Sequence, residues 1–189
     1  MSLTMIRSTD PMTPQSREKI TTLSDPEQPR AVWFLGSLVR MPLVGAETGD
    51  TLAVLEHNGD RGYSAPMHRH TRDDETFIVL DGSLHVVSDD VHLAATSGTT
   101  LFLPRGTLHG FVVQSPSAHF LTVHTPGGFD AFTAEAGSPA VIAADGMPAA
   151  TDEDKPTSQE LAAIAARYGI EIVGPPPALP ETDAPVALR

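Results

Sequence analysis

The chain has 189 residues, 40% of them apolar, and a formal charge of −12. That supply of apolar residues is enough for one sizeable core, which predicts a single domain with appended segments. The acidic balance, with no basic run, excludes charge-driven binding to nucleic acid or to an anionic membrane surface, both of which need clustered Lys and Arg.

Residues 1–28 are polar, contain proline and have no sustained period, and they are expected to form a flexible arm. From Ala31 the texture changes to short runs rich in β-branched and aromatic residues: AVWFLGSLVRM, TLAVLEH, ETFIVL, SLHVVS, TLFLP, GFVVQ and HFLTVH. Gly, Pro, Asp or Asn separates one run from the next. Many short strands with regular turn signals predict an all-β sandwich or barrel over residues 29–136. Beyond His124, TPGGFDAFTAEAG reads as a turn and a short helix. Residues 137–189 then form an appendage of linker, helix and tail. Its helix is TSQELAAIAARYG, where Thr157 and Glu160 have capping-box spacing and Leu161, Ile164, Ala165 and Tyr168 share one face for packing on the barrel. Gly169 stands where a helix C-terminal cap belongs. The proline-rich stretch after it, IEIVGPPPALPETDAPVALR, is expected to be extended and in part disordered.

No apolar run is long enough for a spanning helix and no secretory signal is readable, so neither membrane attachment nor export is expected and the expected compartment is the cytoplasm. The chain has no cysteine, which removes disulfides, thiolate metal sites and cysteine nucleophiles. Phosphate-binding glycine loops and nucleophile elbows are also missing.

His and carboxylate remain as metal ligands, and one stretch concentrates them: GYSAPMHRHTRDDETFIVLDG, Gly62 to Gly82. On a strand, residues i and i+2 share a face, so His68 and His70 project together. Glu75 can add an oxygen ligand from the next strand, and His109, after a strand, a proline and a glycine turn, offers a third imidazole. Three His and one Glu make a plausible site for a divalent first-row metal with positions left for water or substrate.

These residues have the spacing of two known motifs. Gly62, His68, His70, Glu75 and Gly82 resemble the first cupin motif, and Gly98, Pro104, Gly106 and His109 resemble the second. Where the second motif often ends in Asn this chain has Val113, which makes the pocket more apolar if that position faces it. The PGGFDAF segment and the final helix with YGIEIVGPP extend the likeness to single-domain cupins similar to quercetin 2,3-dioxygenases.

The resemblance implies a jelly-roll β-barrel with a short C-terminal helical appendage. It implies one divalent transition metal (Fe, Mn, Co, Ni, Cu or Zn) held by His68, His70, Glu75 and His109. It further implies a dioxygenase for an aromatic or enol-containing small molecule, using dioxygen, with Glu75 as ligand or catalytic base. An apolar cavity lined by Phe77, Val79, Phe102, Phe111 and Val113 would exclude water and receive the substrate. The fold also hosts isomerases, cyclase-type proteins and non-catalytic ligand binders, which are the alternative readings.

The other histidines are expected to be structural or exposed: His57 and His92 exposed near turns, His85 on a strand, and His119 and His124 structural, with approach of either to the cavity as the alternative because HFLTVH should run near the second motif. Arg69 and Arg72 are expected to face solvent and pair with Asp73 or Asp74. Tyr63 and Met67 are expected either at the pocket rim or in the second layer of the sandwich. A homodimer is expected, since an apolar strand such as AVWFLGSLV would be a risky open edge.

Overall fold

A computed structural model describes residues 22–23, 30–140 and 155–180 of the chain. The arm expected over residues 1–28 and the last nine residues lie outside the described residues, apart from 22 and 23.

Among the described residues, twelve strands form two antiparallel sheets. In chain order the elements are β1 (Ala31–Phe34), β2 (Ser37–Leu43), α1 (Gly45–Thr48), β3 (Ala53–Asp60), β4 (Ser64–His70), β5 (Asp74–Asp81), β6 (Ser83–Ser88) and β7 (Val91–Thr96). They continue with β8 (Thr100–Leu103), β9 (His109–Val113), β10 (Ser117–Thr125), α2 (Phe129–Ala136), β11 (Ser138–Pro139), α3 (Ser158–Arg167) and β12 (Ile170–Gly174). The first sheet has the order β11-β1-β2-β3-β10-β5-β8 and the second β12-β4-β9-β6-β7. This is the jelly-roll sandwich expected of the sequence.

Strict alternation builds the interior. On β3, Ala53, Leu55 and His57 point inward, and on β5 Glu75, Phe77 and Val79 do so. On β10 the inward set is Ala118, Phe120, Thr122 and His124. One part of the core is aromatic: Phe77, Phe111 and Phe120 pack with ring centroids 5.4 to 5.9 Å apart, joined by Val79, Val86 and Val113. A second part joins Phe34, Val39, Met41 and Leu55 of the first sheet to Phe132 of α2, Leu161 and Ala165 of α3 and Ile170 of β12.

Two turns show how local sequence sets this frame. Gly82 has φ +77°, and a side chain there would run into the Ser117 carbonyl; only glycine satisfies both constraints. Between β1 and β2, Leu35 and Gly36 have φ 53° and 88°, as a tight two-residue hairpin requires. The apolar stretch AVWFLGSLVRM is therefore a hairpin rather than one strand, and β11 covers its outer edge.

Helix α3 begins at the capping box of Thr157 and Glu160, with both reciprocal hydrogen bonds present, and Gly169 at φ +78° closes it. Past Gly169 the chain departs from the expected loose tail. Residues 170–174 form β12, which pairs antiparallel with β4 and sets Ile170 opposite His70 and Ile172 opposite His68. β4 would otherwise be an edge with unpaired N–H and C=O groups, and β12 satisfies them. The appendage is built into the wall of the barrel.

Candidate metal centre

Both sheets contribute to the site. His68 and His70 lie two residues apart on the inner face of β4, and His109, the first residue of β9, is the direct cross-strand partner of His68. Glu75 faces them from β5 of the other sheet, where its cross-strand partner is His124 of β10. All five side chains are buried.

The ligand atoms of four of them converge. His68 Nε2 and His70 Nε2 are 3.1 Å apart, His109 Nε2 is 2.9 Å from Glu75 Oε2, and His70 Nε2 is 3.4 Å from the same oxygen. Ligands about 2.0–2.2 Å from a common metal sit roughly 3 Å from one another, so these separations suit one cation at the centre.

The tautomers sharpen the case. His68 Nδ1 faces the Pro66 carbonyl at 2.7 Å and His109 Nδ1 faces the Thr107 carbonyl at 3.0 Å. A carbonyl only accepts, so both Nδ1 atoms carry hydrogen and both neutral rings present a bare lone pair at Nε2. Without a positive charge between them, the His109 lone pair would face an ionised carboxylate at 2.9 Å. Among buried groups that contact is costly unless a proton or a metal ion reconciles it. His70 Nδ1 is 3.1 Å from Asp73 Oδ2, an ion-pair distance. The contact is bent off the N–H axis, so this buried nitrogen makes no aligned hydrogen bond.

Electrostatics agree with a donor set held ready. Burial, and then the neighbouring imidazoles of His109 and His70, push His68 down to about 3, which favours its neutral, ligating form. Burial opposes charge on Glu75, but its neighbours His124, His109 and His70 hold its carboxyl well below the usual carboxylate range. Burial likewise opposes charge on His70, yet the Asp73 and Glu75 carboxylates outweigh it and raise the ring to about 9. Asp73 and Glu75 thus hold a negative charge on either side of the His70 ring.

Several sequence expectations need correction here. Phe102 is 58% exposed on the outer face of β8, because alternation buries its neighbour Leu103; it does not line a cavity. Phe77, Val79, Phe111 and Val113 are buried but pack on one another as core. Among the described residues, a cavity that touches a ligand lies on the His68 side of the site. It measures about 30 Å³ and is bordered by His68, Phe34, Leu35, Pro66, Phe129, Leu161 and Ile172, drawn from the first hairpin, β4, α2, α3 and β12.

His57 is not exposed: it is 3% accessible, stacked on Phe120 at 4.7 Å and bonded to Tyr63 and Thr122. Asp73 is not a surface partner of arginine but lies buried between His70 and His124. Asp74 pairs with Arg105, and Arg69 with Glu171. Tyr63 is core, and His124 stacks on Phe129 at 4.1 Å beside the site. The alternation on β10 carried the missed signal: with Phe120 inward, Thr122 and His124 must be inward too, and inward polar residues need partners.

The family model for the cupin domain matches residues 59–124. A quercetin 2,3-dioxygenase of Bacillus subtilis (strain 168) is 34% identical over 71 residues, which is 38% of this chain and 21% of that enzyme. The chain therefore spans about a fifth of that relative's length. The structure of KdgF from Halomonas sp. aligns with a TM-score of 0.52 at 20% identity, covering 59% of this chain and 98% of that one. An RmlC-like cupin from Shewanella frigidimarina NCIMB 400 aligns with a TM-score of 0.49 at 23% identity, over 58% and 95% of the two chains. At these identities the structural likeness is one of fold.

Proposed function

Because residues 59–124 form a cupin domain, we propose that this protein is a metal-dependent dioxygenase acting on an aromatic or enol-containing small molecule, resembling the quercetin 2,3-dioxygenase type. The observation that carries the metal is the convergence of three imidazole nitrogens and one carboxylate oxygen in a buried space. The partial likeness to a quercetin 2,3-dioxygenase supports the reaction class.

His68, His70, Glu75 and His109 would hold a divalent metal (Fe, Mn, Co, Ni, Cu or Zn). Bound there, the metal would supply Lewis-acid activation of a substrate hydroxyl and a route for electrons to dioxygen. The chain's own residues do the rest. Glu75 would receive the hydroxyl proton; supporting this, its two oxygens have different surroundings, Oε2 facing His109 and His70 and Oε1 lying 3.6 Å from His124 Nε2. Phe129, Phe34 and Leu35 keep the His68 side dry. The present cavity has room for little more than water or dioxygen. An aromatic substrate entering on this side would require the cover of α3, β12 and the first hairpin to part.

The test is anaerobic reconstitution with each of the six metals, then oxygen uptake with a panel of flavonols and related enols. Metal-dependent uptake that vanishes in His109→Ala is the expected result. A fully loaded protein with no uptake refutes the oxygenase reading and leaves non-redox isomerase or cyclase-type chemistry, or ligand binding.

A cytoplasmic homodimer belongs to the same proposal. Phe102 and Leu80 are 58% and 44% exposed on the outer face of the first sheet, at its β8 edge, and pairing there would cover them. Sedimentation that finds only a 20.0 kDa species at micromolar concentration refutes it.

A further inference from the structure

Behind the metal centre a row of buried polar side chains crosses the interior, and the proposed reaction uses none of them. Asp73 Oδ2 lies 3.1 Å from His70 Nδ1 and 2.8 Å from His124 Nδ1. His124 Nε2 is 3.2 Å from Thr122 Oγ1, which is 3.1 Å from His57 Nε2. His57 Nδ1 is in turn 3.1 Å from the Tyr63 hydroxyl. Thr122 and His124 share the inner face of β10 with Phe120, His57 faces Phe120 from β3, and all these side chains are buried.

The hydrogens of this row run in one direction. An ionised Asp73 can only accept, so the Nδ1 atoms facing it carry hydrogen. Neutral His124 must then accept at Nε2, which takes the one hydroxyl hydrogen of Thr122. Thr122 consequently accepts from His57 Nε2–H, and His57 Nδ1 accepts from Tyr63. From Tyr63 to Asp73 each donor meets an acceptor, and the row ends at one carboxylate. Its weakest joint is the bent contact between Asp73 and His70 Nδ1.

Resting on the metal-binding reading above, we propose that Asp73, steadied by His124, is a positioning residue that receives the Nδ1–H of His70 when His70 takes up the metal. Two of the three imidazoles are held by neutral carbonyls two residues upstream of each ring. His70 alone of the three has a carboxylate behind it, which fixes its ring orientation and makes its Nε2 the more basic donor. The row through Thr122, His57 and Tyr63 keeps Asp73 from swinging toward Glu75 and competing for the cation. Asp73 therefore governs how tightly the metal is held without touching it.

The test uses the full chain with Zn(II) as probe. Asp73→Asn is expected to weaken Zn(II) binding, read by chelator competition, by about 10- to 100-fold. Asp74→Asn, the same charge change in the neighbouring residue that pairs with Arg105, should leave affinity within about twofold. Imidazole ¹⁵N spectra of the Zn(II)-loaded wild type decide the matter even if Asp73→Asn does not fold. His70 and His124 should carry hydrogen at Nδ1, and His57 at Nε2. A bare Nδ1 on His70, or equal affinities in the two Asn variants, overturns the proposal while leaving the metal centre intact. A wild type that takes up no Zn(II) or other divalent metal removes the metal reading and this proposal together.

Discussion

Replacing Ile170 by alanine tests whether the C-terminal segment is part of the barrel wall. Ile170 is 3% exposed, sits opposite His70 in the β4–β12 ladder and packs in the same core as Leu161 and Phe132. The change removes three buried carbons at about 0.8 kcal/mol each, roughly 2.4 kcal/mol. The void left beside an existing cavity of about 30 Å³ adds to that. A total near 3 kcal/mol lies within the usual range of about 2–5 kcal/mol for such truncations. For a chain of this size it corresponds to a drop in Tm of about 6–12 °C. Val173, on the same strand but 55% exposed, provides the control: Val173→Ala should change stability by less than about 0.5 kcal/mol. The assay is thermal denaturation monitored by circular dichroism, with chemical denaturation to obtain the free energy. Equal small effects of the two substitutions would show that residues 170–174 do not form the strand, and the account of the site's wall would fall.

The buried polar groups lead to two further outcomes. Burial holds the His57 ring down at about 3, against an ordinary value of 6.5. Between those values the unfolded chain binds a proton that the folded one does not, so this residue makes stability fall by about 1.4 kcal/mol per unit as pH drops below 6.5. Denaturation midpoints of His57→Gln, compared with wild type from pH 7 to 4, should show a shallower decline, and parallel curves would contradict the assignment. Glu75→Gln should retain metal through the three imidazoles, with affinity reduced, while turnover of any substrate found falls by about 10²-fold or more. Turnover within a few-fold of wild type in the loaded variant would remove Glu75 from the chemistry.

The two glycine-framed motifs made the four converging residues legible because their spacing is local: a strand pair, a turn and the next strand suffice to bring His68, His70 and Glu75 into one neighbourhood. His109 needed only the second motif. What stayed illegible depended on tertiary pairing. Asp73 sits in the charged turn TRDD, where solvent is the ordinary environment, and only the approach of β10 buries it against His124. His57 looked turn-adjacent, yet the register of β3 against β10 stacks it on Phe120. Hydrophobicity alone puts Phe102 in the pocket lining, and it cannot say which face of a strand looks inward; burial of Leu103 settles that Phe102 looks out. The strand at 170–174 was hidden by the prolines behind it, since its only partner is about a hundred residues upstream.

Three of the converging groups belong to one sheet and Glu75 to the other. An ion bound by all four is thus a rivet through two layers that are otherwise joined by packing and chain connections. Each layer would lose its hold on the ion if they separated, so occupancy opposes that separation directly. At a thousandfold excess over Kd, linkage contributes about 4 kcal/mol to the closed form. Amide hydrogens of β4, β9 and β5 should then slow their exchange together on loading, though no hydrogen bond of the ladders has changed. Metal supply in the cell would set how long this barrel stays shut, as well as whether it can react.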